Sequence, residues 1–319
     1  MKTMIKLSLG FCAVLVLALT SVDASAAGLA VDANELAAKS RSSLKADIDR
    51  ARVETPELFR QVYDIAKHAG ELDAASRKPG VPLTMHFKVL GNRALMPMLE
   101  LLAFDGHAPS DLTPSAQSAL RVGLLEAVGI VRDARAIPVL ARVAFRERDA
   151  ETTRASADAL GRIGTDDAFA ALVAALDSAD APGSTTGGTE RINALLAGVG
   201  SARRIDGTKL LAKRLDAHPD AITAKAIAKA LGVAGNAWAW KTFTNRTDEA
   251  TVRELAARAL VKTFLDYTGE ARTAATTAIL VVDAAQTPAL INDARRAASA
   301  DQLVALDDLA AKLAKNPTR

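Results

Sequence analysis

The sequence predicts an all-α protein built from repeated pairs of helices, and three observations lead to this prediction. A short segment occurs twice at a fixed period, since Gly129 and Gly161 lie 32 positions apart, as do Leu140 and Leu172. Hydrophobic residues make up 50% of the chain but aromatic residues only 4%, and a core of alanine and leucine suits close-packed helices better than a sheet. Self-similarity at a fixed period indicates a repeat protein, in which each unit buries its apolar face against its neighbours.

Residues 1–26 have the pattern of a secretory signal peptide. A basic start and an apolar run at 7–20 precede a small-residue cleavage site at 24–26. We therefore expect cleavage near Ala26 and a periplasmic or secreted protein, with no transmembrane segment in its mature chain. A retained N-terminal anchor is the alternative. The only cysteine, Cys12, lies in this segment, so a mature chain would have no disulfide and no thiolate metal site.

Residues 27–80 are predicted to form an N-terminal helical cap. Their first part carries only a sparse apolar stripe at helical spacing. Thr55 and Pro56 then give the start of a second helix, as an N-cap followed by proline at the first helical position. Neither helix matches the repeat, so we expect the two to cover the apolar side of the first repeat.

Residues 81–299 are predicted to form the repeat solenoid. Each repeat has an anchor, usually glycine, and the residue two positions before the anchor is small in the last five copies. Small residues let neighbouring helices approach closely, and the glycine is expected to end its helix as a C-cap. A second, antiparallel helix follows each anchor. The anchors are Gly91, Gly129, Gly161, Gly200, Gly232 and Val261.

Two segments interrupt or end this pattern. Residues 180–189 are predicted to be a flexible loop that lengthens the third repeat. The glycines of this loop have the spacing of a phosphate loop, but Thr189 stands where that motif needs lysine, and no strand precedes it. Residues 300–319 are predicted to be a C-terminal capping helix and tail.

The segments 133–140 and 154–164 resemble the HEAT-repeat family, and the period is most similar to its short, phycobilisome-lyase-like variant. The resemblance extends over residues 91–262 and, with the signal peptide, indicates an exported bacterial-type protein. It implies a right-handed α-solenoid of about five to six helix pairs, flanked by capping helices and used mostly for protein binding. It implies no catalytic residue. The last copy departs from the family because it lacks its glycine.

Composition and motifs predict neither catalysis nor metal binding. The chain has 40 Lys and Arg against 37 Asp and Glu, too small a surplus to indicate a nucleic-acid partner. The four histidines do not pair at the spacing of metal ligands, and no hydrolase or zinc-protease motif occurs. We predict a non-catalytic scaffold with a protein partner, no cofactor and no metal. The alternatives are an enzyme or carrier that holds a small ligand in the solenoid groove, or a structural envelope component.

The candidate binding residues follow from the concave side that the resemblance implies. One polar column there changes from acidic, at Glu126 and Asp158, to basic, at Lys229 and Arg258. Such a groove would orient an extended partner, although ordinary solvated charges are the alternative. Trp238 lies in a column that is polar in other copies and is either draped over a neighbour or an interface anchor. The predicted binding residues are Arg154, Lys225, Lys229, Arg253, Arg258 and Trp238.

Overall fold

The computed structural model describes residues 28–76, 78–104, 109, 111–181 and 188–316. The predicted signal peptide and most of the predicted loop at 180–189 lie outside these residues. Within the described part of the chain, the regular elements are all helical and there is no strand. The α-helices are α1 (Ala38–Glu54), α2 (Pro56–Lys67), α3 (Ala69–Ala75), α4 (Thr84–Lys88), α5 (Leu95–Ala103), α6 (Pro114–Val131), α7 (Ile137–Arg146), α8 (Ala150–Ile163), α9 (Asp166–Asp180), α10 (Thr189–Ser201), α11 (Ile205–Asp216), α12 (Ala221–Ala234), α13 (Ala237–Trp240), α14 (Glu249–Asp266), α15 (Gly269–Val282), α16 (Thr287–Arg295) and α17 (Ala300–Ala314).

From α4 onward the helices form two rows. The first row consists of α4, α6, α8, α10, α12 and α15, and each of these packs on the next. The second row consists of α5, α7, α9, α11, α14 and α16, and it is in less extensive contact along its length. The predicted all-α solenoid is confirmed. The right-handed sense of its superhelix and the number of pairs, about five to six, stay predictions.

The anchor glycines Gly129, Gly161, Gly200 and Gly232 lie inside their helices, so the prediction that they act as C-caps is wrong for these four. Gly161, for example, precedes the residue that does cap α8, Gly164, by three positions. Gly91, in contrast, lies beyond the end of α4 with a φ of 74°. A Cβ atom added at Gly129 would lie 2.7 Å from the Cα of Ala159 in the next helix. One added at Gly200 would lie 2.9 Å from the Cα of Ala230. The glycines are therefore required because neighbouring backbones touch.

The last repeat has a different register from the predicted one. Gly232 of α12 faces Ala278 of α15, whose Cβ would lie 3.0 Å from a Cβ added at the glycine. The helix that contains Val261, α14, packs instead beside α11 in the second row. The reason is that the helix after α12, α13, is only a single turn long. Trp240 is buried there, and its indole N–H donates to the Ala234 carbonyl at 2.9 Å. α14 then fills the place in the second row that α13 leaves.

The two ends of the solenoid are covered by further helices. At the N-terminal end, α1 and α2 pack on α5, and the backbone amides of residues 29–31 donate to the last carbonyls of α5. At the C-terminal end, α17 packs on α15 and α16 through Leu306, Leu309 and Leu313. The division into a cap at 27–80, a solenoid at 81–299 and a cap at 300–319 stays a prediction.

Arginines from neighbouring helices bind the C-terminal carbonyls of several helices. Arg191 of α10 is only 2% exposed, and its guanidinium donates to three carbonyls at 144–147, at the end of α7. Arg253 of α14 donates in the same way to the carbonyls of residues 282 and 283 that end α15. The last carbonyls of a helix lack intrahelical partners and carry negative partial charge, so a cation there stabilises the packing of one helix on another.

Candidate functional site

An open groove of about 510 Å³ lies between α12 and α15 of the first row. Lys225 and Lys229, one turn apart on α12, form one side. Its lining is otherwise small or apolar, apart from Asn236, the N-cap of α13, and hydroxyl and carboxyl groups on α15. These remaining residues are Gly232, Val233, Asn236, Glu270, Thr273, Ala274, Thr277, Ala278 and Val281.

The small residues that bring α12 and α15 together also leave the groove between them. Gly232 has no side chain, and Ala274 and Ala278 have only a methyl group, so nothing fills the seam above the contact. Val233 stands at the edge of the groove with 39% of its surface exposed. The floor of the groove is therefore apolar, and its charged groups are the two lysines of α12 and Glu270 of α15.

The two lysines of the groove differ in their contacts. The Lys225 ammonium lies 2.5 Å from a carboxylate oxygen of Glu270 and lowers the pKa of that carboxyl, with a smaller contribution from Lys229. Lys229 is exposed, and its ammonium makes no hydrogen bond or ion pair with any residue that the structure describes. The groove thus presents one unpaired positive charge beside an apolar floor.

The structure brings together only two of the predicted binding residues, Lys225 and Lys229. Arg258 is exposed on α14, where its guanidinium lies 3.1 Å from the Glu254 carboxylate. Arg253, on the same helix, lines a separate cleft and binds the end of α15. Because α14 belongs to the second row, these two arginines do not continue the column that Lys229 occupies in the first row.

The other two predicted residues lie away from the groove. Arg154 is exposed on α8, two helices along the first row from α12. Trp238 is 60% exposed on α13, and the Lys241 ammonium lies 4.2 Å from the centre of its indole. The lysine covers one face of the ring. Within the described residues, no hydrogen bond or ion pair joins either residue to the lysines of the groove.

The side of the groove formed by α15 was missed from the sequence. Glu270, Thr273 and Thr277 belong to a helix that the predicted register did not place in the first row. A signal for it is present, since Ala278-Ile279-Leu280 repeats the order of small residue, apolar residue and anchor. The anchor is leucine rather than glycine, and it follows Gly232 by 48 positions, far beyond the period of the other copies.

No group of three or more His, Cys, Asp or Glu side chains in the described ranges is arranged to hold a metal ion. Among the helices that the structure describes, none combines the length and the apolar character needed to cross a membrane.

The fold defines the class of protein as an α-solenoid, and comparison with protein families is consistent with a particular repeat. Residues 111–184, which include α6 to α9, match the family described as HEAT repeats. This match supports the HEAT-repeat family and, because such repeats are commonly non-enzymatic scaffolds for protein interaction, a role of that general kind. A comparison with curated proteins finds no match.

Proposed function

We propose that this chain is an exported, non-catalytic HEAT-repeat scaffold that binds an acidic segment of a partner protein in the groove between α12 and α15. The observation that carries the proposal is the unpaired Lys229 ammonium beside an apolar floor. A carboxylate of the partner would pair with Lys229 while its small apolar side chains lie on the floor, a combination typical of protein interfaces. Arg154 and Trp238 stay predicted contacts outside the groove.

The rows of the fold support a binding surface on the first-row side. First-row neighbours are in more extensive contact than second-row neighbours, and in a curved stack of helices the more closely packed row lies on the inside. The groove would then open toward the concave side, where a partner can contact several helices at once. The right-handed superhelix and the lyase-like repeat variant are further parts of this proposal, supported by the sequence resemblance.

Non-catalytic binding is favoured by the chemistry of the groove. Its carboxyl group, Glu270, is held ionised by Lys225, and its hydroxyls on Thr273 and Thr277 donate to carbonyls one turn earlier in α15. Neither arrangement provides a base beside a nucleophile. The volume of about 510 Å³ also suits a small ligand, so a carrier is the second candidate.

Export is the part of the proposal that rests on residues 1–26 alone. Their apolar run and small-residue site support removal of this segment during secretion. N-terminal sequencing of the protein from the cell envelope should give a chain that begins at Ala27. A protein that keeps Met1 and stays in the cytoplasm would contradict this part.

The groove is tested by reversing its charges and comparing the variant with a matched control. Wild-type protein, Lys225→Glu/Lys229→Glu and Lys209→Glu/Lys213→Glu are each incubated with envelope extract, and bound molecules are identified. The control pair has the same spacing and charge change but lies exposed on α11 of the second row. A protein bound in one-to-one ratio by the wild type and the control, but lost by the groove variant, is the expected result.

Other results would change the assignment in defined ways. Equal recovery by both double variants would place the partner away from the groove. A co-purifying small molecule that only the groove variant loses would favour the carrier. The failure of every form to bind any envelope protein would contradict the scaffold function itself.

A further inference from the structure

Arginines from the C-terminal ends of first-row helices converge on one aromatic ring. Arg132 is the C-cap residue of α6, and Arg203 follows α10. The guanidinium carbon of each lies 5.5 Å from the centre of the Phe243 ring. Phe243 follows α13, so residues that are far apart along the repeat region meet here. A third arginine, Arg162 in the last turn of α8, lies close enough for its charge to act on Arg203.

Positive charge exceeds negative charge in this cluster of Arg132, Arg162 and Arg203. The carboxylate beside it, Asp158, forms an ion pair with Arg162, whose Nε lies 2.7 Å from one of its oxygens, and accepts a hydrogen bond from the Ser201 hydroxyl. Arg132 and Arg203 form no ion pair with any residue that the structure describes. Among the described residues, two guanidinium charges therefore have no carboxylate paired with them.

The surroundings of Arg203 are unfavourable for a guanidinium without an anion. Burial is the main effect that lowers its pKa, and the charges of Arg132 and Arg162 lower it further, while Asp158 opposes them. The Nε atom of Arg203 is buried and has no hydrogen-bond partner among the described residues. A guanidinium stays protonated under these conditions, so a nearby anion would relieve the repulsion between the arginines.

Backbone conformation sets both unpaired arginines apart from most of the chain. Arg132 has a φ of 59° and Arg203 a φ of 49°, in the left-handed region that residues with a side chain rarely adopt. Strained backbone persists where the surrounding structure fixes it, and it is frequent at binding sites. Here each such residue ends a helix and turns its guanidinium toward Phe243.

We propose that Arg132, Arg162 and Arg203 form a binding site for an oxyanion, a phosphoryl or carboxylate group, beside the ring of Phe243. Guanidinium groups bind such anions through paired N–H donors. Two of them lie 5.5 Å from the centre of the same ring, and the charge of the third acts on Arg203. The ring provides an apolar surface for the part of the ligand that carries the anion. The site shares no residue with the groove between α12 and α15, so it does not depend on the function proposed above.

The test measures the thermal stability of the protein in sodium phosphate against sodium chloride of equal ionic strength. Phosphate stabilises proteins in general by exclusion from their surface, so the decisive quantity is the difference between variants. Binding to the folded state should add about 2–4 °C to the melting temperature of the wild type at saturating phosphate. Arg132→Gln and Arg203→Gln should each lose most of this additional shift.

Arg148→Gln is the matched control, because Arg148 is exposed and its guanidinium has no partner among the described residues. It should respond to phosphate like the wild type. Arg132→Gly also removes the guanidinium but suits the left-handed backbone, so it keeps the test decisive if Arg203→Gln unfolds. An additional shift that persists in Arg132→Gln and Arg132→Gly would overturn the proposal.

A second series with sodium citrate distinguishes the two sources of the anion. A larger arginine-dependent shift in phosphate indicates a phosphoryl ligand, and a larger shift in citrate indicates a carboxylate ligand. Equal responses of all variants to both salts would show that the cluster binds no anion.

Discussion

Replacement of Gly129 by alanine should destabilise the protein, although alanine normally stabilises a helix. Gly129 lies within α6, where this exchange would by itself contribute about 1 kcal/mol. The added Cβ would lie 2.7 Å from both the Cα and the Cβ of Ala159, against an ordinary contact distance of at least 3.4 Å. The atoms in its way include backbone, so α6 and α8 must move apart. Overpacking of this kind costs about 1–3 kcal/mol, and a clash with backbone should cost about 2–3 kcal/mol of that range. After the helix gain is subtracted, the net loss should be about 1–2 kcal/mol.

Thermal melts followed by circular dichroism measure this effect, and Gly70→Ala is the matched control. Gly70 lies in α3, and the nearest atom to its added Cβ is the Leu112 Cδ2 at an ordinary 3.7 Å. We expect Gly129→Ala to melt about 2–8 °C below the wild type and Gly70→Ala to melt at or slightly above it. If both variants melt at or above the wild type, the first-row backbones do not touch, and the reason given for the glycines is wrong.

Two further predictions concern the register of the last repeat and the effect of pH. Ala278→Leu should lower the melting temperature much more than Ala259→Leu. Ala278 contacts Gly232 between α12 and α15, whereas Ala259 is only partly buried. Equal decreases in melting temperature would instead favour the register predicted from the sequence. The carboxylate of Glu35 pairs with Arg146 and, at 2.9 Å, with Arg142, and these arginines, Arg146 first, lower its pKa in the folded protein. A lowered pKa means that this stabilisation is complete above the unfolded value near 4.5 and is lost as pH falls through the folded value. Glu35→Gln should therefore melt below the wild type at neutral pH, and the two curves should converge under acidic conditions; a constant difference at every pH would refute the assignment.

The repeat could be predicted from the sequence because its cause is local and periodic. Every first-row helix must present small residues to its neighbour at the same turn, so Gly129, Ala159, Gly200 and Ala230 recur at a spacing that a single sequence displays. The predicted register was wrong after Gly232. There the next first-row helix does not follow at the usual interval, because tertiary packing decides which helix takes that place. Whether α13 or α14 occupies the second row is decided by the burial of Trp240 against the end of α12. The sequence prediction therefore assigned Arg253 and Arg258 to the first row, whereas the helix that carries them, α14, lies in the second row.

The arginine cluster could not be predicted from spacing for a different physical reason. Arg132 and Phe243 are 111 positions apart, and they meet because the stacking of the helices in a curved row brings the segment after α13 near the end of α6. Curvature accumulates from small differences in contact between the two rows, and no single residue specifies it. Each of α6, α8 and α10 has an arginine at or near its C-terminal end. The same curvature brings these positive charges close to one another. Each arginine is favourable at its own helix terminus, where the dipole attracts a cation, and their mutual repulsion arises only in the assembled solenoid. An anion at their centre would stabilise the curved form in particular, so ligand binding and the shape of the first row should be coupled at this position.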